Sequence, residues 1–184
     1  MSERRNPIFA PSRARRGRYD LRDNFLRSWL GALQSAVASV NFLPEAALVD
    51  RADEGLRNLE GHALERLVAQ LYEERSRRGI GDFRLTRRID GYWDRGDTEI
   101  DLVAADEEDR RLRFATCKRE AGKLLADVPR LGAHVRRFLE AQRSYRDWAV
   151  ELVAIAPRID GSTRRRLASA GVVPQDVDDL TADL

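Results

Sequence analysis

Five polar residues could gather at the ends of two neighbouring strands. Glu99 and Asp101 stand two positions apart, and alternate side chains of a β-strand share one face. On the next predicted strand Thr116, Lys118 and Glu120 share a face for the same reason. If the two faces coincide, the five side chains converge where the apolar part of each strand ends. Charges there need mutual pairing, a metal ion or solvent, because burying them unpaired is costly.

This mixture of carboxylates and a lysine suits the hydrolysis of a phosphodiester. Oxygen ligands hold Mg²⁺, which polarises a phosphate and lowers the pKa of an attacking water molecule. A lysine ammonium is compact and can stabilise the charge that develops on the phosphate. The chain uses arginine for nearly all its positive charge, and its only lysines are Lys118 and Lys123. Lys118 is therefore a catalytic candidate, although a strand-end lysine paired with Glu120 or Asp101 is the alternative interpretation.

A further carboxylate, Glu65, lies on a predicted helix. The apolar residues between positions 56 and 72 recur with helical spacing, up to the helix breakers Gly79 and Gly81. At about 100° per residue, Glu65 shares a row with Val68 and Tyr72 at the inner rim of the apolar face. We expect its carboxylate to point towards whatever the helix covers, and we expect the polar strand ends to lie beneath this helix.

The remaining pattern predicts an α/β fold with a mixed sheet. An amphipathic helix over 22–40, capped by Asp20 or Asp23, precedes a helical stretch that begins after Pro44. Short links favour antiparallel hairpins among the first three strands, and Pro129 is expected to break or kink the helix that follows them. Downstream of Glu65 the predicted elements are strands over 83–93, 98–105 and 111–119, a helix over 124–143, a buried strand over 151–156, and a short helix and strand around 164–173.

The length of 184 residues fits one domain with a helical appendage. We predict a basic arm or linker over 1–18, an N-terminal helical segment over 19–55, and the main domain over 56–184. The net charge of +2 does not by itself draw the chain onto a polyanion, so any affinity must come from local clusters. The arm is either a phosphate-contacting segment or a solvated tail, and its candidate nucleic-acid contacts are Arg13, Arg15, Arg16 and Arg18.

Several classes of protein are excluded or disfavoured by composition. The single cysteine, Cys117, rules out an internal disulfide and a cysteine-rich zinc site, and it favours a reducing, cytoplasmic setting. No apolar run reaches the roughly 18–20 residues of a membrane span, so we expect no membrane partner. His62 and His134 lack partners at zinc-binding spacing. No phosphate-binding loop of the G-x-x-x-x-G-K-[ST] type occurs, so the chain does not hydrolyse ATP by itself.

Five stretches of the chain together resemble a known family. They are Gly61–Glu65, Glu99–Ala104, Thr116–Lys118, Tyr92–Asp94 and Arg18–Trp29. In this order and spacing they resemble the PD-(D/E)XK nuclease superfamily, and more narrowly the carboxyl-terminal nuclease-like domain attached to certain prokaryotic ATPases. That domain has the pattern G-x-x-F-E, then W-x followed by E-I-D-x-V, then E-C-K. The resemblance implies a restriction-endonuclease-like core of helix, three strands, helix and strand.

The resemblance also implies roles for individual residues. Mg²⁺ or Mn²⁺ would be held by Asp101 and the residue at 116, Lys118 would stabilise the transition state, and Glu65 would be a supporting carboxylate. Thr116 departs from the pattern, because an acid is expected there. Unit charges about 4 Å apart interact by roughly 4 kcal/mol at an effective dielectric near 20, so this loss weakens metal binding unless Glu99 or Glu120 compensates. Leu64 in place of an aromatic residue is a tolerable change of volume.

Two functions follow from the sequence. The first is a Mg²⁺-dependent DNA endonuclease, weakened by Thr116 or holding its metal in a rearranged site. The second is a catalytically inactive DNA-binding or protein-interaction module that works beside a separate ATPase. A purely structural interaction domain is a third reading, and a homo-oligomer is compatible with all three.

Overall fold

The computed structural model describes residues 2–10, 17–21 and 23–184. The chain divides into two compact units. One comprises Met1–Asn6 and Pro11–Ala63, and the other comprises Pro7–Ala10 and Leu64–Leu184. The predicted boundary lies between residues 55 and 56. The observed division lies between residues 63 and 64, within one continuous helix.

The first unit contains a short β-hairpin-like pair. Strand β1 (Ser2–Arg5) pairs antiparallel with β2 (Arg18–Leu21), and Arg5 Nη1 lies 3.1 Å from Asp20 Oδ2. Asp20 also lies 3.4 Å from His62 Nε2 in the same unit. Within the predicted basic arm or linker over 1–18, residues 2–5 thus form a strand that pairing with β2 and this ion pair stabilise.

The predicted helix over 22–40 is interrupted. It consists of α1 (Asn24–Ser28), one turn of π-helix (Trp29–Leu33) and α2 (Gln34–Ala38). Asp23 caps α1 by accepting a hydrogen bond from the backbone N–H of Leu26 at 2.9 Å, which confirms the predicted cap. Several large apolar side chains of this unit are exposed, Phe42 most of all at 82%.

A single helix, α3 (Glu45–Arg78), contains both the helical stretch predicted after Pro44 and the helical spacing over 56–72. It has 34 residues and contributes to both compact units. The helix ends before Gly79, whose φ of +68° is a left-handed conformation that glycine adopts without a steric penalty. The predicted helix breaker is thereby confirmed.

The second unit is built on a mixed five-stranded sheet with the order β3-β4-β5-β6-β7. The first three strands pair antiparallel, and β5, β6 and β7 pair parallel. The α/β fold class, the antiparallel links and the buried strand around 151–156 are all confirmed. The strands are β3 (Asp90–Trp93), β4 (Glu99–Asp106), β5 (Arg111–Cys117), β6 (Ala149–Ala156) and β7 (Val173–Asp176).

Helices complete this unit on both sides of the sheet. One face packs against α4 (Leu124–Ala141) and α5 (Gly161–Ser169) through buried residues such as Phe114, Phe138 and Leu167. The other face packs against the second half of α3 and against α6 (Val177–Thr181). The order of elements from α3 to β6 therefore matches the predicted helix, three strands, helix and strand.

Two local predictions in this unit were wrong. The residues 83–89 before β3 form a loop and not a strand, although Phe83 and Ile89 are buried. Pro129 does not break α4, which continues through it to Ala141. Buried Leu131, Val135 and Phe138 hold the helix against the sheet, and this packing outweighs the one missing hydrogen bond. Among the described residues, no helix combines the length and hydropathy that a membrane crossing requires.

Candidate functional site

Asp101 lies where the regular pairing of β4 ends. The β4–β5 ladder runs from Asp106↔Arg111 to Leu102↔Ala115, and Asp101 is the next residue along β4. The pairing of β3 with β4 is also irregular here, and a Cβ at Gly91 would approach the carbonyl oxygen of Asp101 to 3.1 Å. The side chain of Asp101 nevertheless contacts β5, because its Oδ2 accepts a hydrogen bond from the backbone N–H of Cys117 at 2.8 Å.

Lys118 follows the last residue of β5 and reaches the same point. Its backbone N–H donates to the carbonyl of Ile155 at 2.9 Å, so the parallel pairing continues past the end of the strand. Its Nζ lies 3.6 Å from Asp101 Oδ2 and 3.2 Å from Asp127 Oδ2. The side chain is 23% exposed, so the ammonium can be reached from solvent.

Asp127 is the member of the site that the sequence did not identify. It lies in the first turn of α4, and its Oδ2 accepts a hydrogen bond from Thr116 Oγ1 at 2.5 Å. Its other oxygen, Oδ1, lies 2.9 Å from Arg130 Nε. Thr116 Oγ1 is also 3.3 Å from Asp101 Oδ2, but a hydroxyl has one proton, and the shorter distance assigns that proton to Asp127.

The two aspartates have opposite pKa shifts. Burial raises the pKa of Asp101, and the charges of Glu65 and Asp127 raise it further, against the opposing effects of the Cys117 N–H and Lys118. Burial also disfavours the charged form of Asp127. The hydrogen bond from Thr116 and the nearby ammonium of Lys118 outweigh that effect and hold the pKa of Asp127 below its usual value. The negative charge of Asp127 is therefore well compensated by its neighbours, whereas that of Asp101 is not.

Glu65 approaches the site from the opposite face of the sheet. It is half-buried on α3, and its charge raises the pKa values of both Asp101 and Cys117. The expected location of the site beneath this helix was only partly correct. The Thr116 face is covered by α4, whereas α3 covers the face that bears Cys117. Asp101 can interact with both helices because it lies at the end of the pairing, between the two layers.

The other predicted ligands differ in position. Glu99 is exposed at the start of β4, and its backbone N–H donates to His134 Nδ1 at 3.3 Å. Its side chain borders the same small cleft as Asp101, Thr116 and Asp127. Glu120 is exposed too, but its carboxylate lies 3.2 Å from both Arg119 and Lys123 and does not line the cleft.

The predicted nucleic-acid contacts of the arm belong to the other compact unit. Arg13, Arg15 and Arg16 lie outside the described residues. Arg18 is an exposed residue of β2. Arg18 belongs to the first compact unit, whereas Asp101 and Lys118 belong to the second.

The cleft has a volume of about 10 Å³, close to the space that a single water molecule needs. Within the part of the chain that the structure describes, no three histidine, cysteine, aspartate or glutamate side chains form a group that could hold a metal ion. A cation here would thus depend on fewer protein carboxylates, completed by water or by a phosphate. That arrangement is usual for Mg²⁺, which is commonly bound by one or two carboxylates.

Comparison with known proteins gives a family for this chain. Residues 29–126 match DUF234, a family described as archaeal and bacterial proteins of unknown function. The chain belongs to the DUF234 family. The matched region contains Glu65, Asp101, Thr116 and Lys118 and ends one residue before Asp127. No curated protein and no solved structure matched the chain.

Proposed function

We propose that this DUF234 protein is a Mg²⁺-dependent nuclease of the PD-(D/E)XK type that hydrolyses phosphodiester bonds in DNA. The observation that carries the proposal is the pairing of Lys118 with Asp101, with 3.6 Å between Nζ and Oδ2, at the solvent-reachable end of two central strands. A carboxylate and an ammonium at that separation can act on one phosphate group together. The site lies in a region with the predicted order of helix, three strands and helix.

The donor set fits Mg²⁺ in its chemistry. Asp101 offers hard oxygen ligands, Glu65 adds negative charge nearby, and the raised pKa of Asp101 reflects burial and excess negative charge that a cation would relieve. When bound, the ion would polarise the phosphate and lower the pKa of the attacking water.

The residues of the chain have separate tasks in this proposal. Asp101 is oriented by the N–H of Cys117, which fixes one carboxylate oxygen and leaves the other available to a ligand. Lys118 supplies a positive charge for the oxygen atoms of the phosphate as negative charge develops on them. Its amide is part of the sheet, so the ammonium starts from a fixed point on the backbone. Glu65 adds negative charge from the α3 side of Asp101.

A polyanionic substrate is supported by the exposed side of α4. Arg130, His134 and Arg137 recur at a spacing that puts them along one side of the helix. Burial lowers the pKa of His134, and the positive charges of Arg130 and Arg137 lower it further, against the opposing charges of Asp127 and Glu99. The two arginines thus contribute a positive potential beside the cleft. Such a potential attracts phosphate groups and makes binding sensitive to salt.

DNA binding without cleavage, beside a separate ATPase, is the second candidate function. It is favoured by Thr116, which is neutral at the position where the family pattern has an acid, and by the lack of a three-ligand metal group among the described residues. Both candidates predict DNA affinity that falls steeply with salt concentration. Only the nuclease predicts broken strands.

Plasmid cleavage separates the two candidates. Purified protein incubated with supercoiled plasmid and Mg²⁺ or Mn²⁺ should produce nicked circles, and a chelator should prevent this. Lys118→Met should abolish nicking, whereas Lys123→Met, which alters the only other lysine, should leave it unchanged. Circular dichroism would verify that both variants are folded. DNA binding with intact plasmid under every metal condition would reject the nuclease in favour of the second candidate.

A further inference from the structure

We propose that Asp127 is the second metal-binding carboxylate of the site and supplies from α4 the negative charge that Thr116 does not supply from β5. This inference rests on the proposed function of the site, because it assumes that Asp101 and Lys118 act around a cation. It assigns a role to a residue that neither the strand pattern nor the family pattern contains.

The geometry of the two aspartates carries the first step. Asp101 Oδ2 and Asp127 Oδ2 approach the same two groups, the hydroxyl of Thr116 and the ammonium of Lys118. The distances to Thr116 Oγ1 are 3.3 and 2.5 Å, and those to Lys118 Nζ are 3.6 and 3.2 Å. The two carboxylates therefore meet around one hydroxyl and one ammonium, and both line the same small cleft.

The position of Asp127 is fixed by the core. Leu124 and Leu131 flank it on α4, and they are 0% and 3% exposed. Asp127 itself has only 14% of its side chain exposed, and Arg130 binds the oxygen that faces away from Thr116. The carboxylate is thus held in place before any ligand arrives, as metal-binding residues require.

Thr116 acts as the support for this carboxylate in the proposed arrangement. An acid at 116 would occupy the place of the hydroxyl and would repel Asp127, whereas threonine donates its proton to Asp127 at 2.5 Å. The two positions are therefore alternatives for one negative charge. Glu120 is turned towards Arg119 and Lys123, and Glu99 is exposed, so neither is held as Asp127 is.

Mn²⁺ binding measured by titration calorimetry on the full chain tests the assignment without relying on activity. Asp127→Asn keeps a hydrogen-bond acceptor for Thr116 but loses the charge, and we expect Mn²⁺ affinity to fall at least about tenfold. Glu140→Gln is the matched control, since it removes an exposed carboxylate from the same helix and should leave the affinity unchanged. The double variant Thr116→Asp with Asp127→Thr returns the charge to the strand and should recover most of the lost affinity.

A thermal-shift measurement keeps the test valid if Asp127→Asn does not fold. Thr116→Asp alone adds a third carboxylate beside Asp101 and Asp127, so the metal-free protein should melt at a lower temperature and Mn²⁺ should raise its Tm more than it raises that of the wild type. Unchanged Mn²⁺ affinity in Asp127→Asn, or no Mn²⁺ binding by the wild type, would overturn the assignment. Asp127-dependent Mn²⁺ binding by a protein that never nicks plasmid would reject only the nuclease, and nicking with Asp127→Asn as active as the wild type would reject only the role of Asp127.

Discussion

Arg113 and Lys118 are two cations at neighbouring points of the β5 region, and each lies near two carboxylates. Arg113 Nη2 and Nε lie 2.6 Å from Asp82 and 2.6 Å from Glu151, and its side chain is 1% exposed. Lys118 Nζ lies 3.2 and 3.6 Å from its two carboxylates and is 23% exposed. The arginine is locked by short, directional hydrogen bonds, whereas the lysine has looser contacts and access to solvent.

The pKa shifts show the same contrast. Burial disfavours the charge of Arg113, but hydrogen bonds to Asp82 and Glu151 raise its pKa, and Arg113 in turn lowers the pKa of Asp82. The carboxylate of Asp101 near Lys118 shows the opposite shift, because its pKa is raised. The cluster around Arg113 is electrostatically satisfied and contributes to folding, whereas the negative charge of Asp101 is only partly compensated. Five substitutions test this difference.

The largest effect is expected from Arg113→Met. It leaves Asp82, Glu151 and the Tyr72 hydroxyl without their shared donor. Breaking a fully buried ion pair typically costs about 3–5 kcal/mol, but the side chains of Asp82 and Glu151 are 64% and 30% exposed, so we expect a smaller cost, on the order of 2 kcal/mol. Urea denaturation should measure this loss as a lower free energy of unfolding. Arg84→Met, which breaks the exposed pair with Glu108, is the control and should cost about 0–1 kcal/mol. Similar losses in both variants would mean that the Arg113 cluster is not a folding element.

A smaller effect is expected from Tyr72→Phe in the same cluster. Tyr72 is almost fully buried, and burial raises its pKa to about 12. Its hydroxyl donates to Gln175 and accepts from Arg113 Nη1 at 3.4 Å, so its removal should cost about 0.5–1.5 kcal/mol. The same denaturation measurement applies. A stability equal to that of the wild type would show that Arg113 and its carboxylates do not depend on this hydroxyl.

Asp101→Asn should have an effect on stability that depends on pH. Because the folded-state pKa of Asp101 is above its usual value of 3.8, its contribution to stability is present in acid and is lost as pH rises through the raised pKa. The free energy of unfolding of the wild type, relative to this variant, should therefore fall as pH rises. Asparagine can still accept the hydrogen bond from Cys117, so the variant should fold.

Asp127→Asn is the matched comparison, because the pKa of Asp127 is lowered. The advantage of the wild type over this variant should be present above the usual value of 3.8 and should be lost as pH falls through the lowered pKa. Denaturation curves over a pH series would give both trends. Parallel trends in the two variants would remove the distinction between the two aspartates.

The smallest effect on stability is expected from Lys118→Met. Its ion pairs are long and partly exposed, so the change should be within about 1 kcal/mol. A thermal denaturation curve would detect a larger loss. A loss of stability comparable to that of Arg113→Met would indicate that Lys118, like Arg113, stabilises the fold.

The strand residues of the site could be predicted from the sequence. Alternation along β4 and β5 identified Asp101, Thr116 and Lys118, because neighbouring strands impose a fixed spacing on their side chains. Asp127 could not be identified in this way. Its position depends on how α4 is rotated against the sheet, which is decided by the packing of Leu131 and Phe138 and not by local spacing.

The less accurate predictions concern segments without a strong repeating pattern. The residues after Phe83 have the apolar content of a strand, but apart from the hydrogen bond from the Thr86 N–H to the carbonyl of Ala105 on β4 they pack as a loop. The amino-terminal arginines indicated a basic arm or linker, yet Arg5 pairs with Asp20, a residue outside that segment. Composition alone contains no information about such a contact.

The hydrogen bond from the backbone N–H of Lys118 to the carbonyl of Ile155 fixes the backbone of the site. The lysine is joined to the parallel half of the sheet and not to a separate loop, so withdrawing its backbone would require fraying of β5 from β6. Motion of the ammonium is consequently limited to rotation about the bonds of one side chain, a fast and local movement. The carboxylates that it meets belong to β4 and α4, so the backbone of the site is held by the elements that form the core of this unit.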